Sequence, residues 1–258
     1  LEKGFNEDIA YRVYSSQLIG KNPHLVMHGG GNTSCKTSQR DIFGEKTDVL
    51  CVKGSGWDLA TIEAPGLPAV RLDSLLNLRK LDNLSDEDMV SIQRSSLLNQ
   101  SAPNPSVETL LHAFLPHKFV DHTHSTPFLV LANLPDTKAI VEDLFDARLG
   151  IVPYVMPGFK LAKLAADIFE KNPNIEGLLL EKHGHFTWGP NAKISYERVI
   201  EQTNIVEQWI AAKRKKTRFQ SSLPEKSVKQ SLVDNLQAAL RRVSEEENPS
   251  FIFNIIFF

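Results

Sequence analysis

Apolar and polar positions along the chain follow two periods, and helix-like and strand-like segments alternate. Apolar residues three or four positions apart predict helices, whereas short apolar runs bounded by turn residues predict strands. The first pattern predicts helices over 7–20, 106–115, 159–171, 192–212 and 226–243, with two more between 72 and 98. The second pattern predicts strands over 24–28, 47–53, 118–124 and 176–183, with a strand or extended piece over 150–155.

Strands that alternate with helices favour one α/β domain with αβα layers, in which a central mixed or antiparallel β-sheet is flanked by helices. This domain is expected to span 1–220. Residues 221–258 are expected to form a C-terminal helix and an apolar tail, which could begin a missing second domain. The tail, SFIFNIIFF at 250–258, is too short to cross a bilayer, so a packed strand and a partner contact are the other interpretations.

Composition and charge exclude several classes of protein. The 258 residues carry a formal net charge of −2, with 23% charged and 41% hydrophobic residues, as in an ordinary globular protein. This balance predicts neither a nucleic-acid nor a membrane partner. Two cysteines, Cys35 and Cys51, make no disulfide framework, which favours a cytoplasmic location. Without a Cys-x-x-Cys pair, any metal site must use histidines and carboxylates.

Two glycine-rich loops are candidates for anion binding. HGGGNTS at 28–34 is expected to follow a strand, and KGSGWDL at 53–59 has the same character with Lys53 nearby. Glycines allow backbone N–H groups to converge on an anion, and the neighbouring hydroxyl and amide side chains add donors. Neither loop matches a nucleotide-binding pattern. Tight turns without a ligand are the alternative interpretation.

The segment PSVETLLH at 105–112 predicts the start of a helix that carries a carboxylate in its first turn. By default Ser106 is an N-cap and Glu108 a residue stabilised by the helix dipole. The functional interpretation is that the helix N-terminus helps to bind a phosphate while Glu108 serves as acid and base. His112, one turn later, is interpreted as a core histidine or a residue behind the site.

Two histidine pairs are candidates for metal binding. His122 and His124 stand two residues apart, so in a strand their side chains leave the same face. His183 and His185 repeat this spacing around Gly184. Three histidines from two strands fit a catalytic zinc with an open fourth position. The spacing leaves open which histidine of the second pair is the ligand.

These motifs, taken together, resemble the class II (zinc-dependent) aldolase/adducin-like family. Five of them occur in the family's order over roughly 6–212: GGGNTS, KGSG, PSVETLLHAFL, VDHTHS and LEKHGHFTWG. Within the family, the chain is most similar to the aldolase domain of bifunctional rhamnulose-1-phosphate aldolase/alcohol dehydrogenases. No GxGxxG motif follows a strand, so the dehydrogenase half is not expected in this chain.

The resemblance implies specific residue roles. It places the zinc ligands at His122, His124 and His183, and the catalytic acid/base at Glu108. It places the phosphate-binding positions at Gly31, Asn32, Ser55, Gly56 and Ser106. His185 is then not a ligand, and Val107 stands where relatives can carry a second serine.

The resemblance also implies a reaction, the zinc-dependent retro-aldol cleavage of a ketose 1-phosphate. The favoured substrate is rhamnulose 1-phosphate, which would give dihydroxyacetone phosphate and lactaldehyde. One Zn²⁺ per subunit is expected, with another divalent transition metal as the alternative. A sugar-phosphate 4-epimerase and a non-catalytic adducin-like binding module are the other functions considered. A homo-oligomer is expected, often a tetramer in this family, and Tyr154 is weighed as a proton donor against a packing role.

Overall fold

The computed structural model describes residues 6–27, 30–214 and 234–235. The chain divides into compact units between Arg214 and Lys215. Residues 234–235 are helical, but the rest of the helix predicted over 226–243 and the apolar tail at 250–258 lie outside the described residues. The boundary expected at 220 therefore stays a prediction.

Most predicted elements are present, and several more accompany them. The strands are β1 (Asn32–Arg40), β2 (Lys46–Val52), β3 (Ala69–Arg71), β4 (Phe119–Thr123), β5 (Leu149–Val152), β6 (Gly177–Leu180) and β7 (Gly184–Gly189). The helices are α1 (Glu7–Gly20), α2 (Leu72–Leu78), α3 (Asp86–Ser95), α4 (Thr109–Phe114), α5 (Thr126–Ala132), α6 (Thr137–Phe145), α7 (Phe159–Lys171) and α8 (Ala192–Lys213).

The strands of the described residues form a seven-stranded sheet in the order β3-β2-β1-β4-β7-β6-β5. Strands β5 and β6 pair in parallel, and the other neighbours pair antiparallel. The sheet is therefore mixed, which is one of the two forms that the sequence predicted. Strands β1, β4 and β7 lie side by side at its centre, which brings distant parts of the chain into register.

Alternating side chains divide the sheet into two buried faces. Leu50 and Val52 of β2 pack with helices α2, α3, α4 and α7, whereas Val49 and Cys51 point into the opposite core. Helices α1, α5, α6 and α8 cover that opposite face. Because successive residues of a strand leave opposite faces, both faces must be covered to bury these side chains. The predicted αβα layering is confirmed.

Polar side chains begin the helices where the sequence places them. Asn6 accepts from the N–H of Ile9, and Ser85 accepts from the N–H of Asp88, so both are N-caps. Helix α4 begins later than predicted, at Thr109, because residues 106–108 form a turn closed by the N–H of Thr109 and the carbonyl of Ser106. This turn places Glu108 at the N-terminal end of α4.

The strand predicted over 24–28 is wrong for residues 24–27, which form a turn and an irregular segment. Leu25 and Val26 are buried there, so the apolar run marks core packing rather than strand pairing. The glycine loop accordingly does not follow a strand; it leads into β1, whose polar sequence the apolar pattern missed. No helix within the described ranges is long and apolar enough to cross a membrane.

Candidate metal centre

Three histidines come together where β4 ends and the β6–β7 turn begins. His122 lies in β4, His124 lies one residue beyond that strand, and His183 lies in the turn before β7. Lys182 has a positive φ of 57°, and the N–H of His183 donates to the carbonyl of Leu180. This tight turn brings His183 beside β4, because β4 and β7 are hydrogen-bonded neighbours.

One nitrogen atom from each histidine lies within 4.8 Å of the others. The Nε2 atoms of His122 and His124 are 2.9 Å apart, and the ring centroids of His122 and His183 are 5.1 Å apart. A metal bound by imidazole lies about 2.0–2.1 Å from each nitrogen. The three side chains are therefore placed to converge on one ion.

The backbone fixes which nitrogen of His122 faces this cluster. Its Nδ1 lies 3.1 Å from the carbonyl oxygen of His185. A carbonyl only accepts, so Nδ1 donates and the neutral ring presents the Nε2 lone pair to the cluster. Metal-binding histidines are commonly oriented by such a bond to the other ring nitrogen.

His185 is the histidine of the second pair that points away. Its Nε2 lies 2.7 Å from Oε1 of Gln202, and its ring stacks on Phe128 at 3.7 Å. It is fully buried, and burial lowers its pKa to about 4. The structure thus brings His183 to the cluster and leaves His185 in the core.

The carboxylate of Glu108 completes the cluster. Its Oε1 lies 3.1 Å from Nε2 of His183, and its Oε2 lies 3.4 Å from Nε2 of His122. Asn32 donates to Oε2 at 2.6 Å. Burial opposes ionisation of Glu108, but the electrostatic interaction with His122, the contact with His183 and the bond from Asn32 outweigh it and hold its pKa below the ordinary value.

Burial also favours the neutral form of His122 and His124. It lowers the pKa of His122 strongly, although the charge of Glu108 partly offsets this, and it lowers the pKa of His124 with help from His183. Neutral imidazole is the form that binds metals. Imidazole nitrogens from three histidines, with a carboxylate beside them, fit a divalent transition metal.

The predicted phosphate positions lie in loops and at the start of β1, next to the cluster. Gly31 has a φ of 65°, and a Cβ there would lie 2.7 Å from the carbonyl oxygen of His122, so two constraints require glycine. Asn32 pairs with His122 across the sheet and donates to Oγ of Ser106 at 3.1 Å. These three positions lie together beside Glu108.

Ser55 and Gly56 lie in an exposed turn that is joined to the same region. The N–H of Trp57 donates to the carbonyl of Gly54, and Gly56 has a φ of 82°, as a left-handed turn position requires. Gly54 bridges to Pro105, and the N–H of Ser55 donates to the carbonyl of Asn104 at 2.7 Å. The second glycine loop is thereby fixed to the segment that carries Ser106.

Two buried charged features lie around the site: Lys53, which sequence analysis noted only as a neighbour of the second glycine loop, and Asp121, which it missed. Lys53 is largely buried: burial lowers its pKa, Glu108 raises it, and its charge in turn lowers the pKa of His124. Its place before the second glycine loop was the available signal. Asp121, next to His122, forms a buried ion pair with Arg12 at 2.6 Å. No local pattern links Arg12 with Asp121, since α1 and β4 are distant in sequence.

Tyr154 is half exposed rather than packed in the core. Its hydroxyl donates to Sδ of Met156 at 3.2 Å, and Nζ of Lys182 lies 5.8 Å from its ring centroid. Because Lys182 precedes His183, this tyrosine lies on the segment beside the histidine turn.

Comparison with known proteins assigns this geometry to a family. Residues 13–210 match the Class II Aldolase and Adducin N-terminal domain family. The chain belongs to this family. The match covers more than half of the chain and includes the three histidines, Glu108 and both glycine loops. The predicted membership in the class II aldolase family is confirmed.

Relatives place the chain among proteins of different lengths. It is 40% identical over 253 residues to the uncharacterized oxidoreductase YuxG of Bacillus subtilis, covering 96% of this chain but 36% of that protein. It is 28% identical over 163 residues to methylthioribulose-1-phosphate dehydratase of Pseudomonas savastanoi, covering 55% of this chain and 79% of that enzyme. The chain therefore spans about a third of the more similar of these relatives.

Solved structures share the fold. The N-terminal class II aldolase domain of a conserved protein from Thermoplasma acidophilum is 43% identical, with a TM-score of 0.75 over 80% of this chain and 95% of that one. A sugar-phosphate aldolase from Thermotoga maritima is 14% identical, with a TM-score of 0.60 over 82% of this chain and 97% of that one. The layered mixed sheet is thus the family fold.

Proposed function

We propose that this chain cleaves a ketose 1-phosphate by a retro-aldol reaction, with rhamnulose 1-phosphate as substrate and dihydroxyacetone phosphate and lactaldehyde as products. One observation carries the proposal: the ionised carboxylate of Glu108 contacts two of the three clustered histidines, beside loops suited to an anion. A metal site, an acid/base and an anion site in one place are what this reaction needs.

His122, His124 and His183 would hold one zinc ion or another divalent transition metal. Bound there, the metal would supply a Lewis acid that stabilises the negative charge developing on the substrate oxygens as the carbon–carbon bond breaks. Glu108 is placed to move the proton to or from the carbon that is left with the electron pair. Its burial and fixed hydrogen bonds keep the carboxylate in one position.

The anion side of the site would bind the phosphate through Gly31, Ser55, Gly56 and Ser106. The Ser106 hydroxyl oxygen accepts from Asn32 at 3.1 Å and from the N–H of Glu108 at 3.3 Å. Its own hydrogen is then free to point at a phosphate oxygen. Binding energy gained there, away from the reacting bond, can hold the substrate in a productive orientation.

The choice of sugar rests on the subgroup motifs and on chain length. The motifs VKGSGWDLATI and LLEKHGHFTWG resemble the rhamnulose-1-phosphate aldolase domains. The Bacillus subtilis relative is named an oxidoreductase and is much longer than this chain, which supports an aldolase domain joined to a dehydrogenase. We propose a cytoplasmic homo-oligomer, as a tetramer, that acts on this small phosphorylated sugar.

Dehydration of a ketose 1-phosphate is the second candidate. The Pseudomonas savastanoi relative is named a methylthioribulose-1-phosphate dehydratase, and it matches over 55% of this chain. The same histidines and Glu108 could serve that reaction, because it also removes a proton next to the substrate carbonyl. Loss of water without dihydroxyacetone phosphate would identify it.

The test is a coupled assay for dihydroxyacetone phosphate released from rhamnulose 1-phosphate. Release should stop with a chelator and return with zinc, and Glu108→Gln should lower kcat by about 10²- to 10⁴-fold. Glu197→Gln, the same change on an exposed face of α8, should leave kcat unchanged. If zinc-loaded protein releases no product, rhamnulose 1-phosphate is not the substrate. An epimer as product would favour the epimerase. A purified protein without stoichiometric metal would favour the binding module.

A further inference from the structure

The two cysteines of the chain lie opposite each other in the sheet, and the proposed function uses neither of them. Cys35 of β1 pairs with Cys51 of β2 in the antiparallel register. Both are free thiols, and both are fully buried. Because directly opposed residues of antiparallel strands point to the same face, both side chains lie in the core that α1 covers. The register thus brings together two thiols that the whole β1–β2 hairpin separates in sequence.

The spacing of this pair suits a disulfide bond. Directly opposed residues of antiparallel strands have Cα atoms about 4.5–5.5 Å apart, and a disulfide spans Cα separations of about 4.4–6.8 Å. A hydrogen bond with the Cys35 thiol, together with burial, raises the pKa of Cys51 well above that of an ordinary thiol. The two sulfur atoms therefore already face each other, and a bond between them needs no change of register.

A cavity of about 530 Å³ opens beside the pair. Its lining includes Gln39 of β1 and Ala69 of β3. Nε2 of Gln39 donates to Sγ of Cys51 at 3.4 Å, and Ala69 pairs with Cys51 across the sheet. Gln39 therefore contacts both the cavity and the Cys51 sulfur, so a small neutral molecule in the cavity lies one side chain away from the thiol.

The pair also lies on the two strands that carry the glycine loops. Strand β1 begins directly after the first loop, and β2 ends directly before the second. The N–H of Lys53 donates to the carbonyl of Thr33 at 3.0 Å, two residues along each strand from the cysteines. A covalent link between Cys35 and Cys51 would therefore act close to the strand ends to which both loops are attached.

We propose that Cys35 and Cys51 form a redox modification site, in which a peroxide that enters this cavity converts the two thiols into a disulfide. The site does not depend on the proposed aldol cleavage. Disulfides in a reducing compartment are usually transient and serve redox sensing or catalysis, so a thiol reductant should reverse this one.

Atoms and electrons balance in two steps. The sulfur of Cys51 attacks one oxygen of hydrogen peroxide, the O–O bond breaks, the thiol proton leaves with the second oxygen as water, and Cys51 becomes a sulfenic acid. The sulfur of Cys35 then attacks the sulfur of Cys51, the S–O bond breaks, and a second water leaves with the remaining thiol proton. The two thiols lose two electrons, which reduce one peroxide to water. Because the thiolate is the nucleophile, the raised pKa of Cys51 should make this oxidation slower than that of an exposed thiol.

Mass spectrometry of the reduced full-length protein before and after treatment with hydrogen peroxide tests the proposal. The folded protein should lose both thiol hydrogens, resist alkylation by N-ethylmaleimide after denaturation, and give a proteolytic peptide that joins Cys35 to Cys51. Dithiothreitol should restore both thiols. Cys35→Ser should instead leave Cys51 as a sulfenic acid, which dimedone traps, because no second thiol is present to displace the oxygen.

A bulky side chain at the cavity tests the route of the peroxide. Ser101 lines the cavity and is exposed, so Ser101→Trp should slow disulfide formation by about tenfold or more, since the rate depends on access to the sulfur. Ser95→Trp is the matched control, because Ser95 is exposed on α3 and does not line the cavity. It should leave the rate unchanged.

Two results would overturn the redox site. Both thiols could stay open to alkylation after peroxide treatment of the folded protein, or the disulfide could form only in the urea-unfolded chain. Either result would show that Cys35 and Cys51 serve only as small side chains of the core. Equal rates of disulfide formation in Ser101→Trp and the wild type would reject the cavity as the route.

Discussion

At the scale of single residues, the cluster of three histidines depends on Gly184, a residue without a side chain. Gly184 opens β7 directly beside His122 of β4 and His124, which follows that strand. A Cβ there would lie 2.7 Å from the carbonyl oxygen of Thr123 and 2.9 Å from ring atoms of both His122 and His124. The glycine between the second pair of histidines is therefore part of the site, because it leaves room for the rings of the first pair.

Replacing Gly184 with alanine should displace both rings and weaken metal binding. We expect the zinc affinity of Gly184→Ala to fall by about 10- to 100-fold, the range seen when the residues that orient metal ligands are changed. Competition with a chromogenic chelator would measure it.

Gly44→Ala is the matched control for this prediction. Gly44 has a φ of 83° but nothing within 4 Å of its Cβ position, so alanine there adds backbone strain without a clash. It should cost about 1–2 kcal/mol of stability and leave zinc affinity unchanged. Equal zinc affinity in Gly184→Ala and wild type would contradict the steric argument.

At the scale of secondary-structure elements, one buried ion pair ties four elements behind the site. Arg12 of α1 pairs with Asp121 of β4, and it also donates to the carbonyl of Ser34 in β1 at 3.2 Å. Ser195 of α8 donates to the other carboxylate oxygen of Asp121 at 2.5 Å. The strand that carries His122 is thus fixed by polar contacts as well as by sheet pairing.

Removing one member of this pair should be strongly destabilising. Arg12→Met leaves the Asp121 carboxylate buried without its partner, so we expect the free energy of unfolding to fall by about 3–5 kcal/mol. Urea denaturation would measure the change. Arg12→Met combined with Asp121→Leu should recover part of the loss, because no uncompensated charge then remains.

Arg79→Met provides the comparison on the surface. Arg79 pairs with Asp167 and Glu170, whose side chains are 48% and 66% exposed, so its loss should cost less than about 1 kcal/mol. Similar costs for Arg12→Met and Arg79→Met would show that burial does not determine the strength of the Arg12 pair.

The elements that sequence analysis found and missed differ in where their apolar residues lie. Helices α1, α3, α7 and α8 have apolar positions at helical spacing and polar caps or ends, and all four are confirmed. Strand β1, with the sequence NTSCKTSQR, has one apolar residue, so its backbone pairing with β2 and β4 had no local signal. Residues 24–27 have the opposite property, an apolar run that packs without pairing.

At the scale of the whole molecule, burial makes several histidines sensitive to acid. Burial lowers the pKa of His112 to about 3 and lowers those of His117 and His185 to about 4. In the unfolded chain each returns to about 6.5. Between these values the unfolded state binds more protons than the folded state, so stability rises with pH across the window.

The free energy of unfolding should therefore decrease as the pH falls from about 6.5 to 4.5, before ordinary carboxylates titrate. Urea denaturation at several pH values would measure this slope. His117→Gln should make the slope shallower, because it removes one of these titrating groups. His117 stacks on Trp188 and lies apart from the three clustered histidines, so the change should not disturb them. An unchanged slope in His117→Gln would show that this histidine does not contribute.

The sequence by itself determined the layered α/β class, the family, and the candidate residues for the proposed chemistry. These follow from local properties: the apolar periods, the caps, and short motifs whose order along the chain is specific. The tertiary structure decided which residues meet. It placed His183 beside β4 and turned His185 into the core, and it put Asn32 opposite His122.

The structure also decided how the polar groups are used. A chain of hydrogen bonds from Ser34 through His112 and Asn32 to Glu108 joins β1 to α4 and the turn before it, and Arg12 reaches Asp121 from a helix far away in sequence. The physical reason is that the spacing of residues constrains side chains on one element only. Contacts between elements depend on strand register and on how the two buried faces pack.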